Sequence, residues 1–303
     1  MKPIFKTLLT IAAIGLSAQP TLAETEARFL LGGKSTGSKQ SPHAHGSYAK
    51  GCLAGGQELA QTGPTWQAMR LSRGRNWGHP DMIAYLKRIS AEVADKTNWK
   101  GLYIGDISQP RGGPMISGHA SHQLGLDADI WMLPARDLKL SRQKRETLSS
   151  SNVRASNHKN VSGDWTYTHM QVMKIAASDP AVDRIFVTPP VKIYMCKKAR
   201  GNKKWLQKIR PYWGHNHHFH VRLKCPKGSS GCKTQKPTTA ALSKGGTGCD
   251  ETLNWWVTAA LEPAKPKPKS SKKKKKAVKK KKHPRQFVMA DLPNQCSKVL
   301  KSR

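Results

Sequence analysis

Two short stretches of this 303-residue chain concentrate side chains able to bind a metal or move a proton. The first, 117–129, carries His119, His122, Asp127 and Asp129; the second, 213–220, carries His215, His217, His218 and His220. Six of the chain's 12 histidines fall in these two windows. Neutral imidazole and carboxylate are preferred zinc ligands, and a catalytic zinc keeps three protein ligands and one open position. His122, Asp129 and His220 can supply that set. The seven-residue step from His122 to Asp129 does not fit one helix face, and no H-E-x-x-H motif occurs. It fits a loop that feeds a strand, with Gly125 letting the chain turn. His215 and His218 then stand beside the metal as proton-transfer groups or oxyanion donors.

Strands must present these groups. A strand from His218 to Leu223 puts His218, His220 and Arg222 on one face and Phe219, Val221 and Leu223 on the other. Leu126, Ala128 and Ile130 alternate with Asp127 and Asp129 in the same way, inside a strand expected over 125–132. Further strands are expected over 101–107 and 184–187. Apolar residues at Met82, Ile83, Leu86, Ile89 and Val93, after Pro80, predict a helix over 81–99; Val172, Met173, Ala176 and Ala177, with Pro180 beyond, predict another over 168–178. The mixed order predicts an α+β fold, a small and mostly antiparallel sheet flanked by helices.

Residues 1–23 read as a cleaved secretory signal peptide: Lys2 and Lys6, an apolar run from Thr7 to Leu16, and Ala23 at the end. The run is too short to span a bilayer. The six cysteines, Cys52, Cys196, Cys225, Cys232, Cys249 and Cys296, all follow it, so three disulfides are expected in an oxidising compartment. The turn-rich loop from Cys225 to Cys232 can close on itself, while spacing leaves the other pairings open. A net charge of +35 calls for an anionic partner. Thirteen of its charges lie at 265–285, 12 Lys and one Arg without an acid and interrupted by prolines, an extended linker over 264–286. Taking away those thirteen and the two lysines of 1–23 leaves +20. The expected layout is a catalytic domain over 24–263, the linker, and a terminal segment over 287–303 tied back through Cys296.

In these motifs the chain resembles the penicillin-insensitive murein endopeptidases, a group of the LAS-type metallopeptidases with a hedgehog-like core. The resemblance rests on 75–80, 105–114, the segment from Ser117 to Asp129, Arg184–Val187 and 213–222. It implies zinc held by His122, Asp129 and His220, with His119 as a further site residue and candidate ligand, and His215 and His218 as catalytic histidines. It implies the pairings Cys52–Cys296, Cys196–Cys249 and Cys225–Cys232, and an aspartate where Asn216 stands. The implied reaction is zinc-dependent hydrolysis of the D-alanyl to meso-diaminopimelyl cross-link of peptidoglycan in the periplasm, with no serine acyl-enzyme and hence no sensitivity to β-lactams. The primary partner then becomes the peptide cross-link and not the nucleic acid that the charge alone suggests. Two rival readings are a secreted cationic protein that binds metal and polyanions, and a zinc carboxypeptidase that trims terminal D-alanine.

Weaker signals carry less. Gly33 to Gly37 imitates a phosphate loop, but Arg28 replaces its first glycine; Ser156 to Lys159 matches S-x-x-K without a following K-T-G. His158 and His169, near Asp164, are candidates for a second metal but are expected to be ordinary histidines. Of the tryptophans, Trp213 is the one expected to line a groove, because it adjoins the histidines.

Overall fold

The computed structural model describes residues 25–263 and 282–302. The expected signal peptide and most of the Lys-rich linker lie outside the described residues. A short helix α1 (Ala27–Gly32) leads into a hairpin of β1 (His43–Ser47) and β2 (Lys50–Ala54). β3 (Gln57–Glu58) pairs with β6 (Trp77–Gly78) in a second two-stranded piece.

The main sheet has seven strands. They are β4 (Thr62–Gly63), β5 (Trp66–Ala68), β7 (Leu102–Ile104), β8 (Asp127–Trp131), β9 (Val182–Val187), β10 (Ile209–Pro211) and β11 (His218–Leu223). Their order is β10-β9-β11-β8-β7-β5-β4. Four of the six pairings are antiparallel; β10 with β9 and β5 with β7 are parallel. The fold is therefore α+β with a mostly antiparallel sheet.

The register of the central pair positions the chemistry: His220 faces Asp129 and Arg222 faces Asp127, while Phe219 faces Ile130 and Val221 faces Ala128. Because side chains alternate along a strand, the first set shares the polar face and the second set enters the core. Helix α2 (Pro80–Lys96) buries Met82, Ile83, Leu86, Ile89 and Val93 in that core. It starts at Pro80, where the lost N–H costs nothing, with the His79 ring accepting from the Asp81 amide at 3.2 Å. It stops at Lys96, three residues before the expected end, where Thr97 turns extended; Trp99 still packs inside. A short α3 (Arg142–Thr147) follows the loop after β8.

Helix α4 (Tyr167–Ser178) begins at a local clamp: His169 Nδ1 accepts from the Thr166 amide at 3.1 Å and its Nε2 lies 2.7 Å from the Met132 carbonyl. Helix α5 (Pro189–Lys198) follows β9 directly, and α6 (Thr239–Leu242) is one turn. The last helix, α7 (Gln295–Lys301), packs Cys296 and Val299 against Ala27, Leu31, Cys52 and Ala54 in a separate small core. Disulfides join Cys52 to Cys296, Cys196 to Cys249 and Cys225 to Cys232. Among the described residues, no helix is long and apolar enough to cross a membrane.

Candidate metal centre

His122 sits on the loop before β8 with a φ of 67°, a left-handed conformation that a residue with a Cβ adopts at a cost of about 1–3 kcal/mol. Three contacts keep it there. Its amide donates to Asp127 Oδ2 at 2.9 Å, its Nδ1 lies 2.7 Å from the Ile107 carbonyl, and the ring is fully buried. A carbonyl can only accept, so Nδ1 carries the proton and Nε2 offers its lone pair. That Nε2 is buried without a hydrogen-bond partner, 3.4 Å from Asp129 Oδ1.

Asp129 Oδ1 is also buried and unbonded, yet three imidazole nitrogens ring it: His220 Nδ1 at 3.3 Å, His122 Nε2 at 3.4 Å and His218 Nε2 at 3.5 Å. Its other oxygen lies 3.3 Å from His119 Nε2. Buried polar atoms normally find partners, and orphaned lone pairs converging on one point are the arrangement a cation satisfies. His119, His122 and Asp129 each bring a ligand atom within 4.8 Å of the others. His220 falls outside that tight triple but reaches Asp129 through Nδ1, and its Nε2 is 3.0 Å from Asp127 Oδ1, though outside hydrogen-bonding geometry. Nitrogen and carboxylate donors of this kind suit zinc.

A layer of charged groups supports the cluster, and of these only Asp127 stood among the side chains that the sequence marked as able to bind a metal or move a proton. Asp127 receives Arg222 in a fork, Nε to Oδ1 at 2.7 Å and Nη2 to Oδ2 at 3.1 Å. Burial would raise the Asp127 carboxyl, but Arg222 and His220 outweigh it and hold it ionised, well below the usual range. Asp106 accepts from Arg75 at 2.8 Å and lies 3.1 Å from His119 Nε2. Burial opposes its charge, yet His119, Arg75 and Arg73 bring its pKa down to about 2. Asp129 behaves alike: burial raises it, and the surrounding histidines pull it well below the carboxylate range. Asp106 adjoins Gly105, where an added Cβ would meet Trp131 Nε1 at 3.0 Å and the Asp129 carbonyl at 3.2 Å. The one clue in the sequence was its place in the 105–114 motif.

The catalytic candidates stand beside this cage. His215 Nδ1 lies 2.9 Å from the Trp213 carbonyl, and its ring is edge-on to His218 at 5.2 Å between centroids. Burial and the neighbouring His220 and His218 push its pKa down to about 3, and burial also lowers that of His218. Two cavities flank the cluster. One of about 310 Å³ is lined by Arg70, Arg73, Asp106, Asp129, Trp131 and His218 among others. Another of about 320 Å³ is lined by Phe186, Tyr212, His215, His220, Arg222 and Gln235 among others. His119 borders both.

Other residues singled out by sequence lie elsewhere. Trp213 packs on Trp256 at 5.6 Å and lines neither cavity; Trp131 lines one instead. His169 is spent on its helix clamp, burial lowers its pKa, and exposed His158 lies in the 155–160 loop without joining it at a metal cluster. Gly33 closes helix α1, and among the described residues no strand precedes it, so the phosphate-loop likeness has no structural counterpart there.

Fold and site together define an α+β protein with a candidate metal centre in a cleft open on two sides. A family model described as penicillin-insensitive murein endopeptidase matches residues 44–301. Proteins of that name from Haemophilus influenzae and Klebsiella pneumoniae are similar to it. The first is 41% identical over 224 residues, covering 73% of this chain and 74% of the relative. The second is 37% identical over 226 residues, 75% and 79% respectively. The chain belongs to the penicillin-insensitive murein endopeptidase family.

Proposed function

We propose that this protein is a zinc-dependent murein endopeptidase that hydrolyses D-alanyl to meso-diaminopimelyl cross-links in the periplasm, after loss of residues 1–23. The observation that carries the reading is the convergence of Asp129 Oδ1 and His122 Nε2, both buried and unbonded, on the floor of an open cleft. His122, Asp129 and His220 would hold the ion, with His119 against the second Asp129 oxygen. A bound zinc ion supplies Lewis acidity, which activates water near neutral pH and polarises an amide carbonyl.

The chain's own groups do the rest. Ile107 and Asp127 fix the tautomer and direction of His122, and Asp127 also braces Arg222 beside His220. His215 donates a hydrogen bond from its Nδ1–H to the Trp213 carbonyl, which leaves Nε2 to accept a proton on its way to the leaving amine. His218, at the mouth of the Asp129 cage, donates to the oxyanion that develops on the scissile carbonyl. No serine is acylated in this scheme, so β-lactams have nothing to trap.

The test is a digest of a purified, cross-linked muropeptide dimer. Monomers should appear with zinc, vanish with a chelator and persist in the presence of benzylpenicillin. Release of terminal D-alanine from monomers with dimers left intact would make the protein a carboxypeptidase. Retention on anionic matrices with no cleavage of any muropeptide would make it a binding protein.

A further inference from the structure

The two cavities beside the cluster differ in charge. In the second, the one guanidinium, Arg222, is neutralised by its fork to Asp127. In the first, Arg70 and Arg73 line the cavity together with Asp106, Asp129 and His218. Arg73 spends only Nη1, on both Asp106 oxygens at 3.3 and 3.1 Å, and its side chain is 47% exposed. Asp106 is already shared with Arg75, so one carboxylate serves two guanidinium groups.

Arg70 has no carboxylate within ion-pair distance among the described residues. Backbone carbonyls of Leu148 and Arg145 hold its guanidinium at 2.9 and 3.4 Å, and it lies 5.3 Å from the centre of the Trp131 ring. Its φ of 57° is left-handed, a conformation that a residue with a side chain seldom keeps without a reason. Carbonyl braces aim a cation without cancelling its charge. Glu146 acts on Arg70 at longer range and Asp106 pairs with Arg73, but neither guanidinium is closed off by a carboxylate fork of its own, and both share the cavity with Asp129 of the candidate metal centre.

We propose that Arg70 and Arg73 form a carboxylate-binding subsite that receives the free carboxylate of the residue whose amine is released. This deepens the endopeptidase reading and rests on it. In the cross-link, the amide nitrogen of the diaminopimelyl residue is borne by a carbon that also carries a carboxylate, so an anion sits two bonds from the leaving nitrogen. A guanidinium recognises a carboxylate with directional, charge-assisted bonds. The leaving side then lies over the Arg70 and Arg73 cavity and the D-alanyl side over Phe186 and Tyr212. The subsite also gives a physical reason for choosing this bond over an ordinary peptide bond, in which the carbon next to the nitrogen carries an uncharged carbonyl.

The test compares two dimers, one with that carboxylate free and one with it converted to a carboxamide, using the zinc-loaded full chain. The wild-type protein should prefer the carboxylate dimer by about tenfold or more in kcat/KM. Arg70→Gln should remove most of that preference, chiefly through KM on the carboxylate dimer, while the carboxamide dimer is cut at nearly the wild-type rate; Arg73→Gln, which also releases Asp106, should shrink the ratio between the two dimers even where it slows both. Arg73→Lys should restore part of the preference. Equal cleavage of both dimers by the wild-type protein overturns the subsite. So does an equal loss on both dimers in the variants, since a purely structural role through Asp106 cannot tell the substrates apart. If neither dimer is cut by the wild-type protein, the endopeptidase reading itself fails and the subsite falls with it.

Discussion

Asp127 does three things with two oxygens. It fixes the His122 backbone, anchors Arg222 and lies beside His220, all with its side chain fully out of water. Removing one partner of a buried ion pair strands the other, so Asp127→Ala should destabilise the fold by about 3–5 kcal/mol, read as a lower denaturant midpoint. The proposed ligands make a different prediction: His122→Ala and His220→Ala should each abolish turnover and lower bound zinc in metal analysis of folded protein. Full turnover in either variant would refute that ligand set. The histidines and Asp129 were legible because their type and spacing already carry chemistry. The partners were not: Arg222 and Asp127 are 95 residues apart, and no periodicity joins them.

Of the two strands with a clean alternation, one was legible to the residue; the other, expected over 125–132, forms only over Asp127–Trp131. His218–Leu223 forms as expected because its polar and apolar positions alternate without interruption. The strand expected over 101–107 shrinks to Leu102–Ile104, since Gly105 must pass close to Trp131 and the chain leaves the sheet there. Strands of two or three residues such as β4 and β10 are too short to show a period. Helix α5 went unread because it is buried on several sides and carries Lys192 inside. The Lys192 amine is fully buried and donates to the carbonyls of Leu206 and Thr247 at 2.7 and 3.0 Å. Burial, with Arg210 nearby, lowers its pKa to about 7. The unfolded chain keeps that proton up to about pH 10.4, so between pH 7 and 10 the unfolded state holds more protons and this residue's contribution to stability grows with pH. Thermal unfolding should show wild type gaining on Lys192→Met from pH 7 to pH 9.5. Parallel curves would mean the amine stays charged in the fold.

For the molecule as a whole, the excess of basic residues favours encounter with a polyanionic wall, and such steering is screened by salt. Cleavage of whole sacculi should therefore fall as sodium chloride rises, with cleavage of small soluble dimers less affected. The Cys52–Cys296 link spans 244 residues of sequence. In the chain-entropy account, opening so long a loop costs about 5–6 kcal/mol, and Cys296→Ala should lower the unfolding midpoint accordingly. Within the same corner, Arg111 Nη1 reaches the carbonyls of Val299, Leu300 and Ser302 at 2.9, 2.9 and 2.6 Å. Arg111 belongs to the segment that leads into the His119 and His122 loop, and its partners lie 188 to 191 residues further along the sequence. A chain clipped between Arg285 and Cys296 would lose these braces and the disulfide together, so the metal-site loop leans on residues far from either histidine cluster.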